Sequence, residues 1–467
     1  MKKKKRNQEP YHSTQKFTDF PMAETSSSAS GSSSPITNIP QDQLFSILFL
    51  LPVQSILNFA MTCKKLKSLA YSDSLWEYVC KRDWGHPSVD ALKGSNHLQQ
   101  LPWKKLYQQV YQLDSVFCHR LLADSPDGDE IVPSPRASHS LNLVSGCLVL
   151  FGGGCKGGRH LDDTWIAQMG NNFRKTIKWQ KMHSGIPSGR FGHSCVALGD
   201  DFLVLFGGIN DNGFRQNDTW IGQVTVHQRL GITLSWRLLD IGSIAPPPRG
   251  AHAGCSIDNK TMLIHGGIGP SGTRLGDTWI LNLSEDLCFG TWTEVVVRPC
   301  PPSRSGHTVT HVGGTQTVLF GGRGLGYEVL HDVWIFETCE GNWRWVQVVF
   351  DLHNVPRGSS LPRVGHSANL IIGHRLLVYG GEDMYRNRKD DFWVLDIPRN
   401  LDANRLMWRR VESKGEKPNG RSFHGACVDN SGRFLYVYGG MVDGLVQSSD
   451  SSGMRFDGEI YLVELVL

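Results

Sequence analysis

One short pattern occurs six times between Pro135 and Leu467, and it limits the chain to very few folds. Each unit opens with Arg-x-x-His, at Arg136/His139, Arg190/His193, Arg249/His252, Arg304/His307, Arg363/His366 and Arg421/His424. An apolar run follows and ends in twin glycines: Gly152-Gly153, Gly207-Gly208, Gly266-Gly267, Gly321-Gly322, Gly380-Gly381 and Gly439-Gly440. Next comes Asp-x-Trp at Asp163/Trp165, Asp218/Trp220, Asp277/Trp279, Asp332/Trp334 and Asp391/Trp393; the sixth unit has Glu459 and Tyr461 in those places. A second tryptophan, at Trp179, Trp236, Trp292, Trp345 and Trp408, is expected to open a fourth strand. The motif histidines are 54 to 59 residues apart. Four strands per unit at this period predict an all-β, six-bladed β-propeller.

Physical reasons support the residue types. Blade strands converge on a crowded axis, where twin glycines let backbones approach closely and turn with positive φ. The ring of Asp-x-Trp is large enough to fill the widening gap between neighbouring blades. These motifs resemble the kelch repeat, and the resemblance covers residues 135–467. The sixth unit ends at Leu467 on its third strand, while Val116 to Leu122 (VFCHRLL) reads like a fourth strand; compare Trp236 to Leu239 (WRLL). This piece is expected to pair into the last blade and remove a free sheet edge, giving a propeller domain over 116–467.

Before the propeller the pattern turns helical. Leu44, Ile47, Leu48 and Leu51 recur at i, i+3, i+4 and i+7, Pro52 stops that helix, and Val53, Ile56, Leu57 and Ala60 mark the next. Cys63, Leu66, Leu69 and Leu75-Trp76 continue the series to residue 84. With Ile39-Pro40, Leu51-Pro52-Val53, Cys63-Lys64 and Ser72-Asp73, this stretch resembles an F-box; Leu66 stands where that family often has Trp. A small all-α F-box domain over 36–84, a helical linker over 85–115 and a disordered basic and Ser-rich tail over 1–35 complete the expected organisation. An F-box ahead of kelch repeats is similar to the plant F-box/kelch-repeat proteins, substrate receptors of SCF-type ubiquitin ligases. That resemblance implies a non-catalytic subunit whose partners are the SCF adaptor, through it a cullin scaffold, and a protein target. It implies adaptor contacts at Ile39, Pro40, Leu44, Ile47, Leu48, Leu51 and Pro52. The photoreceptor branch of the family, which carries a light-sensing LOV domain ahead of the F-box, is not expected.

Charge and cysteine usage narrow the functions. The formal net charge is +4, but Lys2 to Arg6 supply five of the 48 basic residues; the remaining 43 face 44 acidic ones, a balance of −1. A near-neutral body predicts no nucleic-acid footprint. Eleven cysteines without a Cys-x-x-Cys pair argue against a disulfide framework and a zinc ribbon, and fit a reducing compartment, cytoplasm and/or nucleus. No signal peptide or membrane span is expected. The run at 2–6 reads as a nuclear import signal or as a solvated tail, and a start at Met22 would delete it.

No catalytic, metal or cofactor site is expected. One histidine per blade is what a repeat scaffold requires, and a six-fold arrangement scatters ligands too widely for one metal. The Asp of Asp-x-Trp reads as a turn or capping acceptor. A Glu-x3-Asp-x3-His iron motif, which marks kelch-type plant specifier enzymes, is absent, because no Asp stands four residues before any of the eighteen histidines. The resemblance to kelch substrate receptors implies target binding on the face built from the turn around Arg-x-x-His and the post-glycine loops, where Arg159, Arg215, Arg274, Arg323, Arg388 and Arg455 suggest affinity for an acidic or phosphorylated segment. Several of these arginines could instead pair with the Asp of Asp-x-Trp. Arg323 and Arg388 are expected on loops free of strand pairing. The sixth loop, Met441 to Phe456, is the longest. The alternatives are a kelch scaffold without ligase activity and a metal-dependent kelch-type plant enzyme.

Overall fold

The computed structural model describes residues 35–467 apart from 95–97, 124–131, 170–175, 183–184, 228–230, 340–341, 354, 356–358, 399–404 and 445–453. The N-terminal tail and most of the sixth loop therefore lie outside the described residues. Two compact units divide the chain, Met1–Ala70 and Tyr71–Leu467. No described helix is long and apolar enough to cross a membrane.

The first unit holds α1 (Gln41–Leu50), α2 (Val53–Ala60) and α3 (Lys64–Ala70). Pro40 and Pro52 precede α1 and α2, and each is extended, as suits a residue that cannot donate from within a helix. Leu44, Leu48, Ile56, Ala60 and Leu66 are buried.

The second unit begins with α4 (Asp73–Trp84), α5 (His86–Lys93) and α6 (Trp103–Gln112). Trp76 and Trp84 pack on the Tyr107 ring with centroids 5.3 and 5.2 Å away, and the Tyr107 hydroxyl donates to Asp83 at 2.8 Å. Blade 5 then holds the end of α6. Arg375 donates to the Val110 and Tyr111 carbonyls, and Arg409 donates to the Leu113 carbonyl at 2.8 Å. These are the carbonyls that a helix C-terminus leaves without partners, where cations are also favoured.

Six blades follow. The inner strands of blades 1 to 6 are Ser140–Val144, Ser194–Leu198, Ala253–Ser256, Thr308–Gly313, Val364–Ile371 and Gly425–Val428. The outer strand of blade 6 is β1, Ser115–Ala123, which runs antiparallel to Met454–Leu465 from Val116↔Leu465 to Leu121↔Ile460. Chain termini of the propeller thus meet in one sheet. Trp236, Trp292, Trp345 and Trp408 lie within the outer strands rather than opening them, as at Trp345 in Asn342–His353 and Trp408 in Arg405–Gly415, while Trp179 falls between the short strands Thr176–Ile177 and Gln180–Lys181.

Each blade is organised around a buried ion pair. The six motif arginines are fully buried, and each donates to the carbonyl of the first twin glycine, at 2.8–3.1 Å. In blades 1 to 5 the same guanidinium binds the Asp of Asp-x-Trp, as in Arg304–Asp332 at 2.7 Å, and that Asp also accepts the indole N–H two residues on. In blades 1 to 4 a bidentate fork with a third donor leaves little of either charge unsatisfied, whereas Arg363 of blade 5 reaches Asp391 through one nitrogen, at 3.2 Å. For Asp163, Asp277 and Asp332, burial would raise the pKa, but the arginine's hydrogen bond and charge win and hold it below the usual carboxylate value. In blade 6 two carboxylates share the role of that single Asp. Asp457 pairs with Arg421 at 2.9 Å, while Glu459 accepts the Tyr461 hydroxyl and pairs with Arg120 of β1 at 2.7 Å.

Neighbouring blades are joined by the residues between those arginines and histidines. The third residue of each Arg-x-x-His has left-handed φ, at Ser138, Gly192, Ala251, Gly306, Gly365 and Phe423. Each donates its N–H to the carbonyl of its counterpart in the preceding blade, at 2.6–2.9 Å, with Ser138 closing onto Phe423. The result is a closed circle of six backbone hydrogen bonds. The motif histidines pack edge-on against the residue before the preceding blade's twin glycines, as in Phe151–His193 at 5.3 Å and Tyr438–His139 at 5.4 Å. His193, His252, His366 and His424 also share a hydrogen bond with Ser140, Ser194, Thr308 and Ser367 of that blade. Ala253 has no hydroxyl to offer His307, which bonds His265 at 3.0 Å instead. Both tryptophan sets complete the junctions, since Trp279 and Trp292 lie in one apolar cluster with Val204 and Phe206 of blade 2.

Candidate functional site: the loop face of the propeller

Inner strands from all six blades line an axial cavity of about 480 Å³, rimmed by five of the six motif histidines. Burial, reinforced by the adjacent motif arginines, lowers the pKa of His193 and His366 to about 3, so these rings are neutral near pH 7. Burial pushes the Cys195 and Cys255 thiols up to about 12, and a thiol so placed is a poor nucleophile. Among the described residues no cluster of three or more His, Cys, Asp or Glu is placed to hold a metal.

The loops between the second and third strands of blades 1 to 5 emerge on one face. Five share a backbone design in which the first N–H bonds the carbonyl four residues on, and the fourth N–H returns to the first carbonyl. The pairs are Cys155/Arg159, Asn210/Phe214, Gly269/Thr273, Gly324/Glu328 and Asp383/Asn387. In blade 5 the Asp383 carboxylate also accepts the Tyr385 and Asn387 N–H groups and pairs with Lys389, which stiffens the tip.

The six loop arginines do not form one ring of free charge. Their partners are not the Asp of Asp-x-Trp, which the motif arginines occupy. Arg323 and Arg388 both lie within reach of buried Glu382, at 3.4 and 3.8 Å, and Arg388 also pairs with Asp443. Neither is free of strand pairing, since Arg323 faces Ser305 and bridges Val329, and Arg388 bridges Glu382. Arg274 stacks over Tyr327 at 4.4 Å and donates to Ser305 at 3.1 Å. Arg215 is half-buried and donates to the Gly213 carbonyl at 2.9 Å. Arg455 lies on a strand opposite Val442 rather than in the loop expected from its place after the twin glycines. Arg159 and Arg455 are exposed, with no ion pair among the described residues.

Sequence reasoning missed the apolar tips. Phe214, Leu325, Tyr327, Met384 and Tyr385 project from this face, with Tyr385 77% exposed. Exposed aromatic side chains on stiff loops are typical anchors of protein interfaces. Their signal was present as bulky residues in otherwise polar loops, but the regular spacing of the arginines masked it. Lys156 and Arg386 are also exposed there.

In the first unit the expected adaptor residues separate into two groups. Leu44 and Leu48 are buried, Ile39 and Leu51 are half-buried, and Pro40, Ile47 and Pro52 are exposed. Leu50 and Met61, not singled out from sequence, are 82% and 80% exposed.

Comparison with known proteins places this architecture. An F-box-like family matches residues 36–82, and the KLHDC2/KLHL20/DRC7 Kelch-repeats domain matches residues 224–400. The F-box-like match therefore continues past Ala70 into α4. The chain is 57% identical over 459 residues to the F-box/kelch-repeat protein At1g51550 of Arabidopsis thaliana, covering 94% of each chain. It is 28% identical to Adagio-like protein 1 of Oryza sativa subsp. japonica, over 82% of this chain and 59% of that one. With an F-box region ahead of a six-bladed kelch propeller and a relative that matches nearly end to end, the chain belongs to the F-box/kelch-repeat proteins.

Proposed function

We propose that this protein is the substrate-recognition subunit of an SCF-type ubiquitin ligase, working in the cytoplasm and/or nucleus. The F-box region docks the SCF adaptor, and through it a cullin, while the loop face of the propeller holds the protein to be ubiquitinated. The observation that carries this reading is the pairing of an F-box region with a propeller whose face projects aromatic and basic tips. The subunit contributes binding rather than chemistry: the motif histidines are buried at blade junctions, and the motif Asp carboxylates are engaged by arginine. For the adaptor, exposed Ile47 and Leu50 are the better contacts to test, because charge at buried Leu44 or Leu48 would disturb folding as well.

The test separates docking from target binding. Ile47→Asp with Leu50→Asp should abolish co-purification with the adaptor and leave the melting temperature of the propeller unchanged. A truncation should stop at Ala70, because α4 packs on α6. In a cycloheximide chase, that truncated form should still bind the target and lengthen its half-life above wild type. An unchanged half-life with binding retained would leave a kelch scaffold without ligase activity.

A further inference from the structure

The shared loop design permits a position-by-position comparison of five blades. Its fourth residue takes left-handed φ, and in blades 1 to 3 that residue is glycine: Gly158, Gly213 and Gly272, at φ 75, 77 and 80°. Blades 4 and 5 place Tyr327 (φ 65°) and Arg386 (φ 63°) there instead. An L-residue with a large side chain is strained in this conformation, and glycine is not. Both side chains are exposed, and the contact given for the Tyr327 ring is the exposed stack under Arg274, which buries neither side chain in a core. Strain retained at an exposed loop tip points to function at that tip.

The surroundings of these two tips indicate what they hold. Leu325 and Met384, each 62% exposed, and Tyr385 stand beside them and make an apolar arc over blades 4 and 5. Around the ring toward blade 1, charge takes over. Arg386, Arg455, Lys156 and Arg159 are exposed with no ion pair among the described residues. The exposed carboxylates of these loops are mostly engaged: Asp211 accepts the His160 N–H, Asp390 pairs with Lys417 and Asp443 with Arg388. Among the described residues Glu328 is the exception. Among the described residues, the uncompensated charge along blades 5, 6 and 1 is therefore positive, next to an apolar arc.

We propose that this face recognises one extended segment of a partner protein in two parts. An aromatic or aliphatic anchor sits on the tips of blades 4 and 5 around Tyr327, and adjoining acidic residues lie along Arg386, Arg455, Lys156 and Arg159. This rests on the reading of the loop face as the target site and names the class of target segment. Charge complementarity selects the acidic part, and the strained tips mark where the segment is gripped.

A phage-displayed library of random 16-residue peptides, panned on the purified full chain, tests this without the adaptor. Enriched peptides should combine an acidic cluster with a neighbouring aromatic or aliphatic residue. Their affinity, read by fluorescence anisotropy, should fall at least tenfold in Tyr327→Gly/Arg386→Gly. The melting temperature of that variant should stay level or rise, an outcome that a merely structural role for the two residues would not give. Lys156→Glu/Arg159→Glu should weaken binding by a similar factor and flatten its salt dependence. No enrichment, enrichment without that composition, or affinities within twofold of wild type in both variants would overturn the proposal. Loss of adaptor binding by Ile47→Asp/Leu50→Asp with unchanged peptide binding separates this result from the ligase reading.

Discussion

Blades 4 to 6 and blades 2 and 3 carry the same motifs but are fastened differently. Among the described residues, the outer strand of blade 4 pairs in parallel with that of blade 5, from Val349↔Arg405 to His353↔Arg409. Blade 5's outer strand in turn pairs in parallel with β1, from Ser115↔Glu412 to Cys118↔Gly415. α6 is held against blade 5 by Arg375 and Arg409, and its Leu106 and Val110 join the apolar cluster shared by blades 5 and 6. Among the described residues, blades 2 and 3 are linked at the rim by one backbone bridge, Asp240↔Phe289, and by a bond from Arg237 to the Leu287 carbonyl. The free edge of Gly231–Leu238 in blade 2 has no strand beside it among the described residues. The repeated residues therefore set a symmetric inner framework, and non-repeated residues reinforce one side of it. The strained tips Tyr327 and Arg386 stand on the reinforced side, where a stiff base would keep the proposed binding geometry pre-formed.

Acid should expose this difference most strongly. Burial keeps His139, His193, His252, His307, His366 and His424 neutral in the folded state, with pKa values below the ordinary 6.5. The unfolded chain takes up those protons from about pH 6.5 downward, so stability falls as pH drops, by up to about 1.4 kcal/mol per pH unit per histidine. Every junction is weakened alike, and hydrogen exchange near pH 5 should show blades 2 and 3 opening before blades 4 to 6. Simultaneous opening would mean that the rim pairing contributes nothing.

Substitution of a motif arginine should be nearly as costly and indifferent to side. Arg304→Met in blade 4 and Arg249→Met in blade 3 each leave a half-buried carboxylate without its cation, so both should lose up to about 3 kcal/mol in denaturant unfolding. A difference beyond about 1 kcal/mol would show that the inner framework is not symmetric.

Proline scanning of the outer strands sharpens the contrast. Cys118 sits in β1 between two strands, and Cys118→Pro should cost about 3 kcal/mol or more through the lost ladder bond and fixed φ. Leu238 is exposed and, by the alternation of the ladder from Leu239 N–H→Thr219 O, presents its own N–H to the free edge. Leu238→Pro should therefore lose less than about 1 kcal/mol. Between these extremes, Arg375→Met removes charge-assisted bonds to α6 and should cost about 2–3 kcal/mol. Its exchange signature should be confined to α6 and blade 5.

The repeat was legible because its signals are local. Twin glycine requires close approach wherever it occurs: a Cβ on Gly153 would stand 2.8 Å from His139 Cβ and 2.9 Å from the Ala137 carbonyl. The same regularity also revealed the neutral, structural histidines. The sixth blade was harder. Glu459 occupies the register position of the Asp in Asp-x-Trp, yet Asp457 binds Arg421, because the added strand β1 brings Arg120 to Glu459. No motif in one blade announces a partner supplied by a strand from the far end of the propeller sequence.

By itself the sequence determined the strand count per blade, the glycine turns and the helical N-terminal module, since periodicity and turn chemistry act within a few residues. Only the tertiary structure decided which charges are free. Arg323 and Arg388 look like Arg159 and Arg455 in the sequence, but adjacent blades bring Glu382 and Asp443 to the first pair and leave the second in solvent. A charge is neutralised by whatever lies within a few ångströms, and in a ring of blades those neighbours come from the next repeat.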